Sequence, residues 1–201
     1  MTPETEPALL PLIGARRSVR TYDPTHLVSD ADLRVLLEAA RWAPSAGNSQ
    51  PWGFLVGRRG DGVHTRLVDH LSPGNTRWAP RASVLLVTLH QALSGPEEDA
   101  LGYSDYALYD LGQAVAQLSV QALAMGLAVH QIAGFDHDRL AGSFAVPPHW
   151  QVTTGVAIGR ELAADQPAEP GLRERDRLPR ERHPLAGFVH GERFGTPADF
   201  V

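Results

Sequence analysis

Apolar positions recur at helical spacing in two stretches of the chain. Leu33, Leu36, Leu37 and Ala40 follow Ser29-Asp30-Ala31-Asp32, whose Ser-x-x-acid form is a capping box, so the pattern predicts a helix over about 30–42. Pro44 disfavours helical backbone at the residue before it and stops this helix near Ala43. Further on, Leu108, Leu111, Val115, Leu118 and Leu123 predict a long helix over 105–125, with Gly126 where a helix-ending glycine belongs. A helix this apolar needs burial on more than one side, part of it against a second subunit.

Strands are predicted from short apolar runs. The unbroken run Ser83-Val84-Leu85-Leu86-Val87-Thr88-Leu89 suits a central strand buried on both faces. Segments 52–56, 127–133 and 151–158 are the other strand candidates, the last ending at Gly159. After the first of them, Gly57-Arg58-Arg59-Gly60-Asp61-Gly62 has the order G-x-x-G-x-G, not the G-x-G-x-x-G that brings backbone onto a pyrophosphate, and is read as a turn before a helix reaching toward Leu71. Segment 7–14 reads as a short helix or turn, 136–144 as a short helix, and 44–51 as a loop. Beyond Arg160, Pro167, Pro170, Pro179, Pro184 and Pro197 punctuate a tail for which disorder is one reading; the apolar stretch 184–189 favours the other, an ordered arm. No internal repeat is present.

Composition narrows the classes. With 201 residues, 43% hydrophobic and 20% charged, the chain is expected to form one compact domain or one plus an arm. A net charge of −5 gives no reason to expect nucleic acid as a partner. The absence of cysteine excludes disulfides, thiolate zinc sites, iron–sulfur clusters and a cysteine nucleophile. All 18 basic residues are arginine, so every fixed positive charge is a planar fork suited to phosphate or carboxylate. The first seven residues carry acid where a signal peptide carries Lys or Arg, and no apolar run approaches the roughly 20 residues that span a bilayer, so a cytoplasmic protein without membrane association is expected.

Catalytic signatures are mostly missing: there is no Gly-x-Ser-x-Gly elbow, no Walker loop and no His-Glu-x-x-His, and the nine histidines lack ligand spacing, so no metal site is expected. What stands out is Arg16-Arg17-Ser18-Val19-Arg20. If extended, it projects Arg16, Ser18 and Arg20 on one side, two forks and a hydroxyl for a phosphate or other anion; the plainer reading is a solvated charge run. A second cluster, Pro44-Ser45-Ala46-Gly47-Asn48-Ser49-Gln50-Pro51-Trp52, combines amides, hydroxyls and an aromatic wall that suit a planar heterocycle.

These two segments, in this order, resemble the FMN-dependent nitroreductase family. The resemblance extends to Gly126-Leu127-Ala128-Val129-His130-Gln131-Ile132-Ala133-Gly134-Phe135-Asp136, to Gly155-Val156-Ala157-Ile158-Gly159, and to Arg182-His183-Pro184-Leu185 with Phe188-Val189-His190, running from about residue 13 to 195. It implies an α+β fold, a central, mostly antiparallel sheet flanked by helices, in an intertwined homodimer with FMN at the interface. The chain is then a single domain, 1–201, whose residues 160–201 form an arm packing on the partner subunit. Arg16, Arg17 and Ser18 would hold the phosphate and ribityl chain, and Arg20 would reach the pyrimidine side of the flavin. Pro44, Ser45, Ala46, Gly47 and Asn48 would come from the partner, with Gln50 beside them. Ala133 and Gly134 would present backbone near the flavin N5. Arg182, with Arg180, would close over the phosphate, and Arg77 would be a further contact on the N1 side. Many members carry Glu where Ala133 stands here.

The activity implied is ping-pong transfer from NADPH or NADH through FMN to a small oxidised acceptor such as a nitroaromatic, quinone, enone or flavin. Catalysis would rest on the flavin, tuned by Arg20 and Gly134, rather than on a catalytic side chain. The alternative is a flavin-binding storage or sensor protein without turnover. A lid over the flavin would lie at 91–103, where Glu97, Glu98 and Asp99 read as a solvated turn.

Overall fold

The structure, a computed structural model, describes residues 9–97 and 99–201; the turn expected at Glu98 and the start of the expected 7–14 helix lie outside them. Four strands, β1 (Trp52–Arg58), β2 (Val84–Gln91), β3 (Ala128–Ile132) and β4 (Trp150–Gly159), form one sheet in the order β1-β2-β4-β3. All three pairings are antiparallel. The unbroken apolar run becomes β2, an inner strand with every residue from Val84 to His90 buried.

Alternation along β2 builds two cores. Val84 and Leu86 face a layer made by α2 (Asp30–Arg41) and α5 (Ala107–Ala124), which contribute Leu36, Ala40, Leu111, Val115 and Leu118. Leu85 and Val87 face the other way, onto Val19, Tyr22 and Trp78, with Leu67 of α3 (Gly62–Val68), Leu140 of α6 (His137–Ser143) and Leu172 of α7 (Leu172–Asp176). The capping box at the start of α2 forms as read, the Ser29 hydroxyl accepting from the Asp32 N–H at 3.0 Å.

Several boundaries differ from the sequence expectation. β1 runs on to Arg58 because Gly57 and Arg58 pair with Leu85 and Val84, leaving only 59–61 to turn. Gly57 is required by packing: a Cβ there would lie 2.6 Å from the His64 Cα of α3. The first helix, α1, is confined to Pro11–Ala15. α3 stops at Val68, short of Leu71, and segment 72–82, where no element was expected, holds α4 (Pro73–Thr76) and a 3-10 turn at Ala79–Arg81.

The arm is ordered, and its first half packs on its own chain. Glu161 bridges Tyr22, the Leu162 N–H donates to the Thr21 carbonyl at 3.0 Å, and Leu172 is only 3% exposed within the second core. These intrachain contacts continue to Arg180, whose guanidinium donates to the Arg16 and Gly14 carbonyls.

Candidate functional site

The arginine segment runs extended beside β3. Val19 and Thr21 turn inward and are buried, which sends Ser18 and Arg20 outward, and the Arg16 Nη1 donates to the Ser18 Oγ at 3.3 Å on that outer side. The His130 ring of β3 anchors the segment. Its Nδ1 lies 2.8 Å from the Val19 carbonyl, which can only accept, so Nδ1 carries the proton; the ring stacks on Trp78 with centroids 4.3 Å apart. Burial holds the His130 pKa below its ordinary value, opposed by the bond to Val19, and this favours the neutral ring.

Arg17 faces the other way from Arg16 and Ser18. One of its nitrogens donates to Glu161 at 3.3 Å and another to the Asp176 carbonyl at 3.2 Å. Beneath Arg20 sits the carboxylate of Asp176, whose side chain is 2% exposed. Both its oxygens accept from the Arg20 N–H at 2.9 Å, Oδ2 also accepts from the Thr21 N–H at 3.0 Å and the Thr21 hydroxyl at 2.8 Å, and the Arg20 guanidinium approaches to 3.7 Å. Asp176 was not singled out from the sequence. Its only signal there is one acid in an arginine-rich tail, and no local spacing links it to a segment more than 150 residues earlier.

The turn after β3 lies next to α4. The Gly134 carbonyl accepts from the Ser72 N–H at 3.0 Å and the Asn75 Nδ2 at 2.9 Å, and a Cβ on Gly134 would stand 2.7 Å from the Ser72 Oγ, so a larger residue there requires the Ser72 and Asn75 side chains to move. Among the described residues the Gly134 N–H has no acceptor, and Ala133 is exposed. Arg77, at the end of α4, is tied to Glu169 of the arm, which lies 2.5 Å away. Arg182 is exposed and donates to the carbonyl of its neighbour Glu181.

The loop after α2 is a separate unit. Residues Ala46–Asn48 make a 3-10 turn, and Gly47, Asn48 and Gln50 hold left-handed backbone with φ of 58°, 56° and 51°. Its supports come from elsewhere in the fold. The buried Asp110 of α5 accepts from the Ala46 N–H at 3.0 Å, the Tyr103 hydroxyl donates to the Ser49 carbonyl at 3.0 Å, and the Ser45 Oγ accepts from the Gln50 N–H at 3.0 Å. Pro44, Ser45 and Ala46 line a shallow, open depression of about 310 Å³ that they form with Tyr106 and Tyr109. Among the described residues no hydrogen bond joins this loop to the arginine segment.

The structure thus brings Arg16, Ser18, Arg20 and Arg180 together along one segment and sets the Ala133–Gly134 turn at the end of the adjoining strand, while the 44–50 loop stands apart. An antiparallel sheet between two helical layers, with guanidiniums and a hydroxyl on one extended segment, defines an α+β protein whose surface offers groups of the kind that suit an anion. The nitroreductase family model matches residues 13–77. The chain is 31% identical to an NADH dehydrogenase of Thermus thermophilus over 210 residues, covering 87% of this chain and 97% of that protein. It is 37% identical to an uncharacterized 15.4 kDa protein of Mycolicibacterium smegmatis over 152 residues, covering 72% and 98% respectively. A solved structure described as an oxidoreductase containing FMN matches with a TM-score of 0.85 at 32% identity, over 96% of each chain. The chain belongs to the nitroreductase family.

Proposed function

We propose that the protein is an FMN-dependent NAD(P)H oxidoreductase that reduces a small oxidised acceptor such as a nitroaromatic, quinone, enone or flavin. The observation that carries this reading is the one-sided presentation of Arg16, Ser18 and Arg20 beside the strand that ends in the Gly134 turn. Those residues fit FMN: forks and a hydroxyl suit a phosphate, and a glycine turn with an unpartnered N–H leaves main chain accessible to a ring. When bound, FMN supplies two-electron transfer between nicotinamide and acceptor.

The chain's part is binding and charge. Arg16 and Ser18, together with Arg180 and Arg182, would hold the phosphate and ribityl chain. Arg17, engaged on Glu161, would add charge behind them. Arg20 would face the pyrimidine side; a unit charge pair about 4 Å apart at an effective dielectric near 20 is worth about 4 kcal/mol before screening, enough to favour the more negative reduced form. Ala133 and Gly134 would orient the ring through backbone. Arg77 would contact the N1 side only by leaving Glu169, with which it is ion-paired.

A homodimer, with the loop 44–48 and Gln50 serving the neighbouring subunit's cofactor, is supported by the apolar outer face of α5, where Leu108, Tyr109 and Val120 are exposed, and by Phe188, Phe194 and Phe200 of the arm. Among the described residues no helix is long and apolar enough to cross a membrane.

The test is to purify the protein with FMN and add NADH or NADPH without oxygen. Bleaching of the visible flavin band, followed by its return on adding a quinone or nitroaromatic, is expected. A protein that remains colourless with FMN overturns the reading; one that binds FMN yet is bleached by neither nucleotide is a storage or sensor protein.

A further inference from the structure

Asp176 is a buried acid placed against the segment that carries Arg20, and its bonding exceeds what a simple tether needs. A buried carboxylate is costly unless its oxygens are matched by donors. Here the Arg20 N–H, the Thr21 N–H and the Thr21 hydroxyl already supply that match at 2.8–3.0 Å. The guanidinium of Arg20 nevertheless lies 3.7 Å from Oδ1, inside ion-pair range, with its side chain 29% exposed. The same carboxylate thus holds the backbone that presents Arg20 and stands next to the charge Arg20 presents. Arg17 reinforces the arrangement by donating to the Asp176 main-chain carbonyl, so α7 is fastened to both flanks of Ser18.

We propose that Asp176 is a positioning residue for Arg20: it fixes the direction of the guanidinium and tempers the positive charge offered to the flavin. This rests on the FMN reading given above. Its consequence is electrostatic. Neutralising Asp176 leaves Arg20 with its full charge, and a stronger positive charge beside the flavin favours the more negative, reduced cofactor.

The midpoint potential of bound FMN, measured on the holoprotein, reads this directly. Asp176→Asn is expected to raise the potential, and Glu38→Gln, which changes net charge equally on the far layer at α2, is expected to leave it where it was. In an Arg20→Gln background the rise from Asp176→Asn is expected to vanish. An unshifted potential in Asp176→Asn at full FMN occupancy overturns the proposal, as does a rise that survives undiminished without Arg20. If Asp176→Asn does not fold, Asp176→Glu carries the test: the added methylene puts the carboxylate out of register with the two N–H groups and is expected to weaken FMN binding by about 3-fold or more, the equivalent of part of one hydrogen bond. Unchanged affinity in that variant overturns the proposal. A natural protein that binds no FMN at all removes the FMN reading itself, whereas natural binding with no Asp176 effect removes only this inference.

Discussion

At the scale of single residues, the site separates into forks that are committed within the chain and forks that are presented outward. Arg17 and Arg77 end on Glu161 and Glu169, whereas Arg16 shares its outer face with Ser18. If Arg16 grips the phosphate, Arg16→Ala costs FMN a charge-assisted hydrogen bond, about 1.5–3 kcal/mol, and costs riboflavin much less. Titrating both ligands against natural and substituted protein checks this, and equal losses remove the phosphate assignment. The outward set was legible because alternation in an extended segment is a period-two rule needing no tertiary knowledge. Asp176, Asp110 and Glu169 were not, because each is brought to its partner only by the closed fold, across separations of 64 to 156 residues in the two cases where a hydrogen bond to the backbone marks them.

Among the elements, strong local chemistry predicted structure well and weak chemistry did not. Ser29, with Asp32 three residues on, marks the start of α2, and Ser29→Ala is expected to lower stability by about 1 kcal/mol through the lost cap, read as a lower melting temperature. β2 and α5 were legible for the same reason: an unbroken β-branched run and a long 3.6-residue period each admit few alternatives. By contrast α4 spans Pro73–Thr76, four residues with no apolar periodicity to betray it, and it forms where Ser72 and Asn75 meet the Gly134 carbonyl. The arm illustrates the same limit. Its order was inferred from apolar content, but the surface it docks on, Thr21 and Tyr22 of its own chain, carries no signal within the arm itself.

Over the whole molecule, the two cores leave histidines enclosed in both layers of contact around the sheet. Burial lowers the pKa of His64, His90 and His130 from the ordinary imidazole value, with Asp61 opposing the shift at His64 and the Val19 carbonyl opposing it at His130. Each takes up its proton more readily in the unfolded chain. Stability is therefore whole above about pH 6.5 and declines as pH falls below it, by at most about 1.4 kcal/mol per pH unit for each such histidine. Thermal denaturation followed from pH 7.5 down to 5 is expected to show this fall; a melting temperature that stays level across that window contradicts it. Glu38, held at about 2 by hydrogen bonds from Arg41 and then Trp42, favours the fold at neutral pH and loses that contribution only as pH falls from about 4.5 toward 2.

The loop that follows α2 has a consequence for recognition. Asn48 and Gln50 adopt backbone that residues with a Cβ ordinarily avoid, and they do so because Asp110, Tyr103 and Ser45 hold the chain around them. The conformational cost of shaping this rim is met during folding, by bonds inside one polypeptide. A guest that meets it encounters a finished mould, and little of the contact energy is lost to arranging the host.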